Sequence, residues 1–203
     1  TFIAATNVVS AMFVGIGLEL PAAVLLAAAI AAWVVMGYSI PWLAVLSNPR
    51  RPILEAANGT WFIWVVASQS IAVVAAGIEP LYPEARQWLA IIAVTTWSMG
   101  VMLYAMCGLL LLFRLIMYRL EPQQLDPPYW ITMGAMAITV VAGARIVEMD
   151  DAPMIDVTRA LIAGLSVIFW AFATWLIPAL LAAGVWRHVV KRVPFRYQPT
   201  LWS

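Results

Sequence analysis

Residues 87–113, QWLAIIAVTTWSMGVMLYAMCGLLLLF, run for 27 positions without one Asp, Glu, Lys or Arg. A helix rises about 1.5 Å per residue, so about 20 apolar residues cross a hydrocarbon core of about 30 Å. This stretch therefore reads as a membrane-spanning helix. Working outward from it, five more charge-free stretches appear: 1–18 (18 residues), 20–49 (30), 56–78 (23), 127–144 (18) and 160–186 (27). The expected fold is an all-α integral membrane protein with six transmembrane helices arranged as three hairpins. The expected helices cover 2–18, 21–46, 60–78, 87–117, 128–145 and 157–188, within one membrane domain over 1–203. Residues 189–203 read as a cytoplasmic loop leading to a further helix. The chain begins at Thr1 already inside an apolar stretch, so it reads as a segment of a longer protein.

Composition narrows the function. The chain is 65% hydrophobic and 10% charged, where soluble domains carry roughly 25% charged residues. Its net charge of +1 gives no electrostatic footprint for nucleic acid. One histidine, His188, and one cysteine, Cys107, leave too few ligands for a bis-imidazole haem or a zinc site. Cys107 has no partner in the chain for a disulfide. Glycine-rich phosphate loops and nucleophile–base sets are absent from the sequence. The expectation is a protein without cofactor or metal that is not an enzyme.

Charge sorts by loop. One alternate set of connections holds Arg50, Arg51, Arg114, Arg119, Arg187, Lys191, Arg192 and Arg196, eight of the eleven basic residues. The other holds Glu19, Glu79, Glu84, Glu148, Asp150, Asp151 and Asp156, with Arg86, Arg145 and Arg159. By the positive-inside rule the basic set is cytoplasmic and the first helix runs outward. Trp42, Trp61, Tyr82, Trp88, Tyr118, Tyr129, Trp130 and Trp186 fall near the expected interfaces, where aromatic anchors sit.

Within each expected hairpin the outward helix is the shorter and carries more polar atoms for its length: Thr6, Asn7 and Ser10; Thr60, Ser68, Gln69 and Ser70; Thr132 and Thr139. Polar side chains in hydrocarbon are costly unless they are paired or wetted. Taken together, the asymmetry suggests short, polar-spotted helices around an inner path and long apolar helices facing lipid. Taken singly, each Ser, Thr or Gln is as well explained by a hydrogen bond between neighbouring helices. Asn7, Ser68, Gln69 and Thr132 are the expected path-lining residues. Asn58 or Thr60 is placed to cap the third helix. Arg114, the deepest charge, is placed to snorkel toward the headgroups. Asp150 and Asp151 read as part of a solvated loop. Glu19, Glu79 and Glu148 lie at helix ends with no sign of embedding.

The stretch Asn58-Gly-Thr-Trp-Phe-Ile-Trp-Val-Val resembles the Asn-x-Thr-Trp-Phe-x-x-Val-Val signature that opens the fifth helix of the tellurite-resistance/dicarboxylate transporter family, which includes the slow-type anion channels. Thr6-Asn7-Val-Val resembles the start of that family's third helix, and Pro127-Pro-Tyr-Trp-Ile the opening of its seventh. Ala173-Thr-Trp-Leu-Ile-Pro178, with Arg196-Tyr-Gln-Pro-Thr-Leu-Trp-Ser203, resembles the eighth helix and the approach to the ninth. The resemblance implies a barrel-like bundle of ten helices in five hairpins, with odd helices inside, cytoplasmic termini and commonly a homotrimer. On that register this chain supplies helices three to eight. The family's pore-occluding phenylalanine lies on the ninth helix, beyond Ser203. Where relatives often have Gly-Asn in the fifth helix, this chain has Ser68-Gln69, so the substrate is not carried over.

The expected function is an anion channel or transporter of the bacterial inner membrane. Its expected partners are small inorganic or organic anions, such as dicarboxylates, sulfite, tellurite or halides, and the lipid bilayer. The alternative is a non-transporting accessory or scaffold subunit that uses the same helices for packing.

Overall fold

The computed structural model describes residues 1–47, 57–119, 121–125, 127–150 and 152–194. Arg50, Arg51, Asp151 and Arg196, with the loop from 195 onward, lie outside the described residues. Among the described residues the chain is all-helical: α1 (Phe2–Gly15), α2 (Glu19–Ser47), α3 (Ile63–Ile78), α4 (Arg86–Met117), α5 (Trp130–Val147) and α6 (Pro153–Val185). Five spans, containing α2 to α6, are long and apolar enough to cross a membrane. At 14 residues α1 is shorter, and beyond it the chain turns at Gly17, which adopts a left-handed φ of 78° open to glycine.

The helices pair in sequence, α1 with α2, α3 with α4, and α5 with α6, and short connections make such neighbours antiparallel. The short helices also pack on one another. α3 touches both α1 and α5, while α1 and α5 scarcely meet, so α3 lies between them. Burial follows this order: 67% of the apolar window containing α3 is buried, against 39% for that of α5 and 17% for those of α2, α4 and α6. The long helices therefore present most of their surface outward, with Met102, Ile116, Leu161 and Trp170 among the exposed side chains.

Hydrocarbon gives helices no hydrophobic reason to associate, so contact depends on close approach of small residues. Ala22, Ala29, Ala72, Ala75, Ala90, Ala93 and Ala142 are all fully buried in one core between the helices. A second core, of Phe62, Val65, Cys107, Leu111, Tyr129 and Ala135, fills the end that holds the basic connections. There Phe62, Tyr104 and Phe169 form an edge-packed aromatic row, with centroids 4.9 and 5.5 Å apart.

The start of α3 meets the start of α5 at the end that holds the basic connections. Asn58 is extended, and its Oδ1 accepts from the Thr60 N–H at 2.9 Å and the Thr60 hydroxyl at 2.5 Å. This cap launches the one-turn 3-10 helix Gly59–Phe62 that leads into α3. Gly59 lies against the Pro128 carbonyl, and a Cβ there would overlap that group. By contrast, nothing lies within 4 Å of where a Cβ on Gly77 would stand, although α3 is the most buried helix.

These two glycines make a paired test. Gly59→Ala should destabilise the bundle by about 3 kcal/mol through overpacking against backbone. Gly77→Ala should be neutral or stabilising, by up to about 1 kcal/mol, through helix propensity. Thermal unfolding of both variants in lipid nanodiscs checks the contrast; equal losses would contradict this packing.

Candidate functional site

Three consecutive residues of α3, Ser68-Gln69-Ser70, are buried and reach toward three different helices. The Ser68 hydroxyl accepts from the Trp33 indole of α2 at 2.8 Å and donates to its own Trp64 carbonyl at 3.1 Å. The Gln69 amide donates to the Trp97 carbonyl of α4 at 3.2 Å. The Ser70 hydroxyl accepts from the Asn7 amide of α1 at 2.9 Å and donates to the Ala67 carbonyl at 2.8 Å. The Trp97 indole continues the series, donating to the Thr139 carbonyl of α5 at 3.0 Å. On α6, Ser166 lies against Gly143 of α5, where a Cβ would collide with its hydroxyl and stand 3.3 Å from the Trp97 indole nitrogen. Every helix thus contributes to one polar belt crossing the interior of the bundle.

The four expected path-lining residues can now be placed. Asn7, Ser68 and Gln69 are brought together in the belt, each at most 1% exposed. Thr132 stands apart from it, buried near the start of α5, with its hydroxyl donating to the Tyr129 carbonyl at 2.7 Å. Three belt atoms keep spare capacity. The side-chain oxygens of Asn7, Gln69 and Ser166 are buried and have no hydrogen-bond partner among the described residues. Gly100 gives Gln69 its room, since a Cβ at that position would overlap the carboxamide.

The sequence reading did not single out Trp33, Trp97 or Ser166. A signal existed for the two indoles: both lie far inside apolar stretches, away from the interfaces where tryptophan usually anchors. An indole N–H at that depth must find an acceptor.

At the end holding the acidic connections, Glu79 is 1% exposed, which corrects the expectation that no helix-end carboxylate is embedded. Its Oε1 meets Arg86 Nε at 2.5 Å, and Arg86 Nη2 meets Asp150 Oδ2 at 2.8 Å. This pairing joins the end of α3, the start of α4 and the α5–α6 connection. Arg159 of α6 donates to the Val147 carbonyl, and to the Met149 carbonyl at 3.3 Å. At the opposite end Arg114 donates to the Tyr129 hydroxyl, and buried Arg187 donates to the Leu125 carbonyl at 2.5 Å. The described residues contain no cluster of three or more His, Cys, Asp or Glu able to hold a metal.

Among the described residues, charge lies at both ends of this arrangement and neutral polar groups at its middle. The voltage-dependent anion channel family matches the sequence across residues 1–203. The chain belongs to that family. The described helices place the chain among multi-pass membrane proteins. Two uncharacterized membrane proteins of Mycobacterium tuberculosis, from strains CDC 1551 / Oshkosh and ATCC 25618 / H37Rv, are each 62% identical over 101 residues. Those matches cover 50% of this chain and 51% of each relative, so the chain spans about half the length of the relatives it matches. No solved structure matches the chain significantly.

Belt and ion pairs make separate predictions. Gln69→Leu should change stability by no more than about 1 kcal/mol, because it removes one bond worth about 0.6 kcal/mol together with an oxygen that has no partner. Gly100→Ala should destabilise by about 1–3 kcal/mol through overpacking, and Gln69→Ala in the same chain should restore most of the loss. Glu79→Gln should cost about 1.5–3 kcal/mol by weakening a charge-assisted bond. Thermal unfolding of the four variants in nanodiscs measures each value, and failure of the second substitution to rescue Gly100→Ala would contradict the contact.

Proposed function

We propose that this protein forms part of an anion channel or transporter of the bacterial inner membrane, passing small inorganic or organic anions along the uncovered face of its short helices. The observation that carries this reading is the uncovered stripe on the central helix. Ile63, Val66, Val73 and Gly77 share one face of α3 and are partly buried, while most of the rest of the helix, Trp64 apart, is enclosed. They stand 3, 7 and 4 residues apart on that face, and Ser70, which falls between Val66 and Val73, is buried against Asn7. Gly15 on α1 and Gly134 on α5 likewise have nothing within 4 Å of a Cβ position. Glycine weakens a helix by about 1 kcal/mol relative to alanine. Gly164 and Gly184 on α6 are open in the same way, so it is Gly77, on the most buried helix, for which a lumen supplies a reason.

In this reading α1, α3 and α5 are the inner helices of a larger barrel-like bundle of ten helices in five hairpins, and α2, α4 and α6 its outer ring. A homotrimer fits the same reading. Asn7, Ser68 and Gln69 supply the polar layer behind that partly buried face, and Thr132 supplies a further polar group near the start of α5. A weakly polar wall suits conduction, because binding must be loose enough for the ion to leave. Selectivity then follows path width and donor density.

The test is anion flux into proteoliposomes holding the full-length protein. Gly77→Phe should reduce flux by an order of magnitude or more without loss of folding, since its ring would enter open space. Gln69→Leu should alter anion selectivity while leaving expression intact. Flux no greater than that of empty vesicles would sink the proposal and favour the scaffold reading, under which the belt serves packing alone.

A further inference from the structure

α6 ends in an uncommon way. Beyond Val185 the backbone widens into one π turn, Trp186–Val190, in which the Lys191 N–H donates to the Trp186 carbonyl at 2.9 Å. Single π turns of this kind occur often at functional sites. Here the turn sends Arg187 inward to the Leu125 carbonyl and leaves Val189 and Val190 67% and 63% exposed. The chain then folds back on itself. The Val193 N–H donates to the Arg187 carbonyl at 3.1 Å, and His188 Nδ1 lies 3.0 Å from the Val193 carbonyl. Arg192, at the tip, adopts φ 52°, a left-handed conformation uncommon outside glycine, asparagine and aspartate.

The tip carries Lys191 and Arg192 side by side, both exposed. The Lys191 ammonium lies 5.6 Å from the centroid of the Trp186 ring, within cation–π range. The sequence contains no Asp or Glu after Asp156. The negative end of the α6 dipole accounts for cations near the helix terminus. It does not account for a reversed loop that sets two cations beside two bare valines and a tryptophan.

We propose that this loop is a docking site for the headgroup of an anionic phospholipid. Lys191 and Arg192 pair with the phosphate, Trp186 sits at the interface, and Val189 and Val190 rest against the upper acyl chains. The left-handed backbone at Arg192 positions the cations, so the site is built into the chain. It is independent of the conducting path proposed above.

The experiment uses the full-length protein reconstituted with mixed phosphatidylcholine and phosphatidylglycerol, then mildly delipidated and examined by native mass spectrometry. Wild-type protein should retain phosphatidylglycerol several-fold over phosphatidylcholine. Lys191→Gln with Arg192→Gln should abolish that preference, while circular dichroism shows unchanged helicity and vesicle flux persists. A measurement on the wild type alone guards against a variant that fails to fold: high salt should remove the preference. Inorganic phosphate at matched concentration should not displace the retained lipid. An equal preference in the double variant, retention insensitive to salt, or displacement by free phosphate would each overturn the proposal.

Discussion

Hydrocarbon offers no hydrogen bonds, so each polar side chain buried there must find its partner within the protein. That constraint organises this bundle. Ser68, Gln69 and Ser70 occupy successive positions on α3, about 100° apart around a helix of 3.6 residues per turn. Consecutive residues cannot face one neighbour, so the three point to α2, α4 and α1 respectively. A single tripeptide therefore fixes the rotation of the central helix against three others at once. Each bond contributes only about 0.6 kcal/mol in a membrane, and their value lies in specificity of register.

Glycine is the second half of that arrangement. A carboxamide or hydroxyl can enter a close helix contact only if the opposing helix gives way, and Gly100 and Gly143 do so for Gln69 and Ser166. Gly59 plays a related part at the helix openings, where backbone meets backbone at Pro128. These three glycines are filled by their surroundings, whereas Gly77 and Gly134 face open space. The same residue type thus serves packing at one set of positions and stands beside open space at the other.

Much of the architecture was legible because charge cannot enter hydrocarbon cheaply. Charge-free stretches marked the helices, and the Asn58 cap was readable from its position before an apolar run. The centrality of α3 was less visible, since composition does not reveal which neighbours surround a helix. The belt was only half legible. Sequence identified Asn7, Ser68 and Gln69 as polar residues needing partners, but their partners lie 63, 35 and 28 residues away. Trp33 and Trp97 look like ordinary apolar bulk until the indole nitrogen is followed to its acceptor. Glu79 was misread for a similar reason: it pairs with Arg86, which is itself held by Asp150, 64 residues beyond that arginine.

The order α1, α3, α5, with the outer two scarcely in contact, has a mechanical corollary. α3 is the spine of a half-open book, and each flanking pair of helices is a cover attached to it along one edge. Hardly any contact runs directly from one cover to the other, so the setting of each is referred to the spine. Whatever fixes the spine therefore fixes both covers, and the indole and carboxamide pegs at its back do so.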